Sequence, residues 1–536
     1  MRVRAPERDR VQKTWWLVLG MACAGLASAE CAGAGDPTTF AAGREAVARA
    51  LDSGGTPARA KNVIVFLGDG MGVTTVTAAR IFEGQREGAP GEEHLLSFER
   101  FPHLALIKTY NTNQQVPDSA GTMTAIVTGT KTRAGVLSVD RRVARGDYAA
   151  AAKHPLETIV EQAEARGLST GIVTTTTLTH ATPAALFAHS PEREWQSDDR
   201  LSRGARDAGF PDIARQFVEF DSGDGIDVAL GGGFQHFLPT TAPDASAPER
   251  RGTRADGRDL TAEWLAGREK AAVVWNRTQL REAKPGEVDQ ILGLFGASYL
   301  DFELDRRENG GAQPSLSEMT AAAIAFLERD PDGYFLMVEA GRIDHAHHAG
   351  NAHRALTDTI EISDAVRVAA KATDADDTLI IVTADHSHVL TMAGYPTRGN
   401  DILGKVVGND ERGEPDGSYS KDANGRPYTT LGYQNGPGAD SAVLAPDRRL
   451  THGALTSLGK RSADGQRPDL RDVNTADPDF LQQAAIPMSS ETHSGEDVAA
   501  YARGPGSNLF TGVREQHYIY HAMVEALGWN AKRGEQ

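Results

Sequence analysis

The sequence predicts an α/β fold: a three-layer sandwich with a central, mostly parallel sheet, helices on both faces and loop-rich insertions. Short continuous apolar runs alternate along the chain with longer segments of helical character, a pattern typical of parallel sheets flanked by helices. The 536 residues are 40% hydrophobic and 24% charged. This is ordinary globular usage, so a globally disordered chain is excluded.

The predicted strands are runs that stay apolar without alternation, because a strand buried on both faces needs no polar side. These runs are 63–67, 171–174, 335–338 and 379–382. Between them, 155–166 predicts a helix that ends at Gly167. Ser315 to Glu318 predicts a capping box that opens an alanine-rich helix.

The chain is predicted to contain one large domain, residues 61–530. An N-terminal segment, 30–60, precedes it, and a short tail, 531–536, follows it. Two stretches inside the domain, 239–259 and 396–487, are rich in Gly, Pro, Asp and Arg and have few apolar runs. They are therefore interpreted as irregular insertions on the same domain.

Residues 1–29 have the organisation of an export signal. Five basic residues precede an apolar run from Trp15 to Leu26, and the small residues Ala27 to Ala29 follow it as a cleavage site. The run is shorter than the roughly 18 residues that a membrane span needs. The sequence therefore predicts an exported, periplasmic or extracellular protein with no stable membrane span, and an uncleaved membrane anchor is the alternative.

Charge and cysteine content exclude several classes of function. The formal net charge is -17, and such a chain has no general positive field to attract nucleic acid or an anionic membrane. Cleavage after Ala29 would remove five basic and two acidic residues and leave the mature chain more acidic. With only Cys23 and Cys31 present, a disulfide-stapled scaffold and a cysteine-ligated zinc module are excluded.

Polar groups follow the predicted strands at the points where the strands end. Asp69 follows the first strand, Glu339 the third, and Asp385 with His386 the fourth. Thr182 lies in a Thr-His-Ala-Thr segment after the second. A single aspartate in such a place is equally consistent with a cap or a turn. Four such ends together indicate a ligand site, because open α/β sheets bind ligands outside the carboxyl ends of their strands.

The segment 339–348 has the composition of a metal site. Asp344 and His348 are spaced i, i+4, which places both on one side of a helical turn. A carboxylate with an imidazole is a good ligand pair for zinc, whereas an isolated His pair is more often a solvated helix face. Two further histidines in the same turn favour metal binding, and His493 near the C-terminus is an additional candidate ligand.

Ser119 is the candidate nucleophile. It lies in the segment Val-Pro-Asp-Ser-Ala-Gly-Thr, ahead of a helix-forming run, and a helix N-terminus favours an anion near such a hydroxyl. The alternative is that Ser119 only caps the helix. The chain contains no Gly-x-Ser-x-Gly elbow, which disfavours an α/β-hydrolase triad, and no P-loop or dinucleotide fingerprint with its strand context.

Taken together, these segments resemble the alkaline phosphatase family. The resemblance lies in six ordered motifs, at 66–72, 117–122, 179–183 with Arg193 beyond it, 339–348, 383–388 and 491–497. It extends from about Asn62 to Gly528, nearly the whole mature chain.

The resemblance implies a site for two Zn²⁺ and one Mg²⁺. One zinc would be held by Asp344, His348 and His493, the second by Asp69, Asp385 and His386, and the magnesium by Asp69, Thr182 and Glu339. The ligand types agree with this assignment, because imidazole with carboxylate suits zinc and an all-oxygen set suits magnesium.

The resemblance also implies hydrolysis of phosphate monoesters to an alcohol and inorganic phosphate through a phosphoserine on Ser119. Arg193 would clamp the phosphate with its planar fork, and Asp118 would orient Arg193. His180 and His345 would lie in the substrate site, where well-known bacterial members have an aspartate and a lysine, so the chain is similar to the animal enzymes here. A homodimer is also implied.

One feature of the animal enzymes is not expected in this chain. Animal members carry a calcium site, but Gly296 and Gln313 stand where two of its carboxylates would be. Calcium is therefore not predicted there.

Two other functions are alternatives. A phosphodiesterase, sulfatase or phosphonate hydrolase on the same fold would keep the two-metal core. Such enzymes usually lack the serine beside an aspartate, the third metal set and the arginine in this spacing. A non-catalytic phosphate or metal scavenger would use the same ligands without turnover.

Overall fold

The computed structural model describes residues 36–54, 58–241, 248–439 and 467–529. The strands are β1 Asn62–Gly68, β2 His103–Lys108, β3 Ser169–Thr177, β4 Val228–Gly232, β5 Ala271–Val274, β6 Gln290–Leu294, β7 Tyr334–Ala340, β8 Thr378–Ala384, β9 Ser387–His388, β10 Leu390–Met392, β11 Val407–Asn409, β12 Pro415–Tyr419, β13 Leu431–Gly436, β14 Ala484–Pro487, β15 His493–Ser494, β16 Val498–Arg503 and β17 Thr511–Glu515. The predicted signal peptide and the predicted tail lie outside the described residues.

The α-helices are α1 Phe40–Gly54, α2 Val73–Arg86, α3 Ser119–Thr128, α4 Tyr148–Ala151, α5 Ile159–Glu164, α6 Ala181–Ala184, α7 Arg203–Asp207, α8 Ile213–Val218, α9 Phe234–Phe237, α10 Leu260–Leu265, α11 Arg277–Glu282, α12 Glu303–Glu308, α13 Leu316–Leu327, α14 Arg342–His348, α15 Ala352–Ala372 and α16 Tyr518–Ala526. Single 3₁₀ turns occur at Ser97–Arg100, Asp198–Arg200, Pro437–Ala439 and Ser507–Leu509.

Within the described ranges, ten strands form one central sheet in the order β17-β2-β16-β8-β1-β7-β3-β4-β6-β5. Every neighbouring pair is parallel except the two pairs that include β16. The four predicted strand runs are β1, β3, β7 and β8. The prediction of a mostly parallel sheet is therefore confirmed.

Strand register explains why the strand-end groups meet. Gly68 at the end of β1 lies opposite Ala384 on β8 and Ala340 on β7. Asp69 and Asp385 therefore leave the sheet side by side at its carboxyl edge. A shift of register by one residue would turn these side chains to the other face of the sheet.

The centre of the sheet is enclosed by helices. Strands β1, β7 and β8 are buried along their whole length, as expected for parallel strands covered on both faces. The 21-residue helix α15 packs with α2 and α13, whereas α3 packs with α5 and α16. At the N-terminal side, α1 packs the Phe40 ring 4.5 Å from that of His521 on α16.

Helix α5 is shorter than the prediction of 155–166. It begins after Thr158, whose Oγ1 accepts a hydrogen bond from Glu161 N at 3.1 Å, while the Glu161 carboxylate accepts one from Thr158 N at 2.6 Å. Pro155 is instead bridged to Val139. This capping box ends the extended chain at Thr158, and the sequence prediction overlooked it. The capping box predicted at Ser315 is confirmed.

The stretch 396–487 is more regular than predicted. Its described residues contain β11 to β14; β13 pairs with β14, and also with β10 just outside the stretch. These strands are short and partly polar, so no long apolar run marks them in the sequence. In the other insertion, residues 239–259, the buried Arg254 forms ion pairs with Asp212 and Asp256.

No helix within the described ranges combines the length and the apolar character that a bilayer crossing requires.

Candidate active site

Ser119 is the first residue of α3, and Asp118 is the residue that caps the helix. Asp118 Oδ1 accepts a hydrogen bond from Gly121 N at 3.1 Å. The capping role that was the alternative for Ser119 therefore belongs to its neighbour. Ser119 is almost fully buried, and its Oγ lies 3.2 Å from His386 Nε2. Its hydroxyl is thus positioned where the backbone N–H groups of the helix start favour negative charge.

Arg193 is held beside the serine by the same aspartate. Its Nη1 lies 3.3 Å from Asp118 Oδ2, and its Nη2 lies 3.3 Å from His180 Nε2. Asp118 Oδ1 and Oδ2 also accept hydrogen bonds from Asn111 Nδ2 at 2.9 Å and Gly135 N at 2.8 Å. This network holds the guanidinium in place, and Asp118 contacts Arg193 as the family resemblance implied. The role of Asn111 was missed, because nothing local marks a lone asparagine.

Asp344, His348 and His493 form the first group of potential metal ligands. Asp344 Oδ1 lies 3.3 Å from the Nε2 atoms of both histidines, and these nitrogens lie 3.1 Å apart. Each Nδ1 faces a carbonyl oxygen, that of Glu491 at 2.6 Å and that of Pro117 at 2.8 Å. Because a carbonyl only accepts, each Nδ1 carries the proton and each Nε2 keeps its lone pair for a ligand bond.

Asp69, Asp385 and His386 form the second group. His386 Nε2 lies 3.2 Å from Asp385 Oδ2 and 3.4 Å from Asp69 Oδ1. Backbone N–H groups of Gly70 and His386 bond Asp385 Oδ1 at 3.0 and 2.9 Å. Its Oδ2 and both Asp69 oxygens make no hydrogen bond within the described residues. Burial lowers the pKa of His386, so the ring is in its neutral, ligand form.

Asp69 also belongs to a third group with Glu339, next to Thr182. Glu339 Oε1 has no hydrogen bond among the described residues, and burial raises the pKa of this carboxyl to about 7. The Thr182 hydroxyl is close enough to lower that pKa. His180, predicted as a substrate residue, lies with Asp69 and Glu339 close enough for one cation to contact all three.

The second and third groups share an electrostatic property, whereas in the first group the nearby histidines outweigh burial and hold the pKa of Asp344 well below its usual range. Burial first, and then the nearby Asp385 carboxylate, raise the pKa of Asp69 well above its usual range, and burial raises that of Asp385. Several carboxylates held together without cations disfavour their own ionisation. Buried oxygens without hydrogen bonds, beside neutral imidazoles, are what divalent cations need. The residues present therefore fit metal ions.

His388 and Glu491 support this site and were not predicted. His388 Nε2 lies 2.7 Å from Asp344 Oδ1, and its Nδ1 lies 2.5 Å from Glu491 Oε2. Although burial opposes it, Glu491 and Asp344 raise the pKa of His388 to about 10. His388 therefore bridges the carboxylates of Glu491 and Asp344 and orients Asp344. It also lies close enough to Asp344, His348 and His493 to be a fourth candidate ligand. Both residues lie inside quoted motifs, but their pairing depends on the antiparallel contact of β9 with β15.

His345 lies in an aromatic setting at the edge of the site. The Tyr299 ring is 4.2 Å from it, and the His180 ring is 5.7 Å away. Arg342 Nη1 lies 3.0 Å from His345 Nδ1. The structure therefore brings both predicted substrate histidines together. It adds Tyr299, which follows β6 and carried no recognisable sequence signal.

The chain is similar to known proteins over most of its length. The family described as Alkaline phosphatase matches residues 60–529. The chain is 44% identical over 474 residues to the tissue-nonspecific alkaline phosphatase isozyme of Gallus gallus, covering 87% of this chain and 84% of that protein. It is 41% identical over 481 residues to the Homo sapiens isozyme, covering 89% and 85%. The solved structure of Thermus thermophilus alkaline phosphatase is similar with a TM-score of 0.59 at 26% identity, covering 88% of this chain and 92% of that one.

Proposed function

This chain belongs to the alkaline phosphatase family and is a phosphatase, and from that premise we propose that it hydrolyses phosphate monoesters in two steps through a phosphoserine on Ser119. The observation that carries the proposal is the position of Ser119 Oγ. It lies at a helix start, 3.2 Å from His386 Nε2, beside an arginine fixed by Asp118.

Two Zn²⁺ and one Mg²⁺ are the cations that we propose for the three ligand groups. Asp344, His348 and His493 would hold one zinc; Asp69, Asp385 and His386 the other; and Asp69, Thr182 and Glu339 the magnesium. The nitrogen-containing groups suit zinc and the oxygen group suits magnesium. When bound, such cations lower the pKa of the serine hydroxyl and of the attacking water and neutralise charge on the departing alkoxide.

The residues of the chain have separate tasks in the two steps. Arg193 binds two phosphate oxygens with its fork, and Asp118 fixes its direction. In the first step the Ser119 oxygen loses its proton and forms a bond to phosphorus, while the ester oxygen leaves with its electron pair and takes up a proton to become the alcohol. In the second step a water oxygen loses a proton and forms the new bond, and the Ser119–phosphorus bond breaks, so that the serine oxygen is reprotonated and inorganic phosphate is released.

The phosphoserine is tested by trapping it. Acid quenching during turnover of p-nitrophenyl phosphate is expected to leave one phosphoryl group on the Ser119 peptide in mass spectrometry. Two in-line displacements also predict retention of configuration at a chiral phosphate. Inversion, with no labelled Ser119, would mean direct attack by water and would reject the proposal.

Replacing Arg193 by alanine is expected to lower kcat/KM about ten- to a hundredfold, because charged hydrogen bonds contribute about 1.5–3 kcal/mol each. Arg193→Lys keeps the charge but loses the fork, so it should recover only part of the loss. Steady-state kinetics and phosphate inhibition measure both effects. Arg142→Ala is the control, since Arg142 is exposed and pairs with Asp140. Full activity of Arg193→Ala would contradict the clamp.

Replacing His345 by lysine is expected to strengthen inhibition by inorganic phosphate several-fold and to lower kcat at alkaline pH. Histidine is neutral there, whereas lysine is still mostly charged, so the natural residue holds the product less tightly. The wild-type pH profile should accordingly peak on the alkaline side. His103→Lys adds the same charge at the start of β2, at the opposite end of the sheet. A wild-type optimum near neutrality would refute this explanation.

The phosphodiesterase, sulfatase and phosphonate hydrolase alternatives are disfavoured by sequence identities of 44% and 41% to enzymes named alkaline phosphatases.

We also propose that residues 1–29 direct export of the protein and that the protein assembles as a homodimer. N-terminal sequencing of secreted protein and size-exclusion chromatography with light scattering test these two points.

A further inference from the structure

Strand β3 ends in four consecutive threonines, 174–177, where its neighbours β7 and β4 are mainly apolar. Their hydroxyls have different partners. Thr175 Oγ1 accepts a hydrogen bond from Arg342 N at 3.2 Å, at the start of α14. Thr177 Oγ1 donates to Gln196 Oε1 at 2.9 Å. The other two, Thr174 and Thr176, both contact Glu339.

Thr174 and Glu339 are direct neighbours on the parallel strands β3 and β7. Thr174 Oγ1 donates a short hydrogen bond to Glu339 Oε2, and Thr176 Oγ1 lies 3.2 Å from the same oxygen. The two hydroxyl oxygens are 2.7 Å apart, and Thr176 N donates to Thr174 Oγ1 at 2.8 Å. All three side chains are fully buried. These hydroxyls are therefore shielded from bulk solvent.

The two oxygens of the Glu339 carboxylate are consequently unequal. Oε2 has two hydroxyl partners, whereas Oε1 has none within the described residues. Gly341 leaves room for the Glu339 carboxylate and for Thr176 only because it has no side chain. A Cβ at Gly341 would lie 2.2 Å from Thr176 Cγ2 and 2.9 Å from Glu339 Oε1. The side chain is thus held in one orientation, with Oε1 left for the third ligand group.

We propose that Thr174 and Thr176 are positioning residues that hold Glu339 Oε2 so that Oε1 is presented to Mg²⁺. By fixing this ligand they set the affinity of the protein for magnesium. The proposal rests on the metal assignment given above. Partners that orient a metal ligand commonly change metal affinity ten- to a hundredfold when removed. Without the Thr174 hydroxyl, Oε2 would lose its closest donor and the carboxylate would no longer be fixed.

The test uses full-length protein that is loaded with zinc and stripped of magnesium. The protein is titrated with Mg²⁺ alone, and binding is measured by calorimetry. Its zinc content is measured by elemental analysis. Thr174→Val removes the hydroxyl at nearly constant volume and is expected to weaken Mg²⁺ binding about ten- to a hundredfold with unchanged zinc. Thr174→Ser restores the hydroxyl and should bind within a few-fold of wild type. Thr177→Val is the matched control and should bind as wild type does.

Unchanged Mg²⁺ affinity in Thr174→Val would overturn the proposal, as would parallel loss of zinc and magnesium, which would indicate general disruption. If Thr174→Val does not fold, Thr176→Val decides by the same criteria. Failure of the metal assignment is distinguishable, because wild-type protein would then bind no Mg²⁺ while hydrolysing phosphate esters at full rate.

Discussion

Replacing Ser119 by alanine is expected to lower turnover of p-nitrophenyl phosphate on the order of a thousandfold or more, because the attacking atom of the first step is removed. Little else should change. Asp118 caps α3, so the helix start keeps its hydrogen bond. The Ser119 hydroxyl is not among the proposed ligands. Zinc and magnesium contents should therefore equal those of wild type, as measured by elemental analysis.

The same variant separates an enzyme from a scavenger. A phosphate or metal scavenger with these ligands would take up phosphate equally well with Ser119 or alanine, and neither protein would turn over substrate. Ser202→Ala is the control, since Ser202 is an exposed serine that caps α7. Substantial turnover by Ser119→Ala would place the nucleophile elsewhere.

Removal of the metal ions is the second change with a large expected effect. Chelation followed by dialysis is expected to lower turnover on the order of a thousandfold or more, since metal ions stabilise transition-state charge by several kcal/mol. The thermal midpoint should fall as well. The buried carboxylates of Asp69, Asp385 and Glu339 lose their counterions, and a ligand that binds only the folded state stabilises it.

Zinc followed by magnesium should restore both activity and the thermal midpoint, whereas magnesium alone should not restore activity. Addition of chelator already saturated with zinc controls for effects of the chelator itself. Full activity in a sample shown by elemental analysis to be metal-free would contradict the proposed mechanism.

Much of the fold could be predicted, because strands buried on both faces are continuous apolar runs. That is why 63–67 and 379–382 were recognised as strands. The start of α5 was misplaced because a capping box at Thr158, and not the apolar pattern, ends the preceding extended chain. The short strands β11 to β14 were missed because partly polar segments become strands only by pairing with one another.

The candidate site could be predicted as far as its residues carry their chemistry in their own side chains. Asp344 and His348 have ligand chemistry and helical spacing, and the structure brings them together. Glu491 was missed because it acts through His388, 103 residues away along the chain, and Asn111 was missed because nothing local marks a lone asparagine. His388 was missed for a related reason, since the two carboxylates that contact it belong to Asp344 and Glu491, 44 and 103 residues away.

By itself, the sequence determined the type of fold, the chemistry of the candidate ligands and a candidate nucleophile, because these depend on side-chain type and on local periodicity. The tertiary structure alone decided which groups meet. Gly70 N donates to Asp385 across 315 residues only because β1 and β8 are in register. It also decided that Asp118 caps α3 and that two threonine hydroxyls hold one oxygen of Glu339. Hydrogen bonds and electrostatic interactions act over a few ångströms in space, and distance along the chain does not specify them.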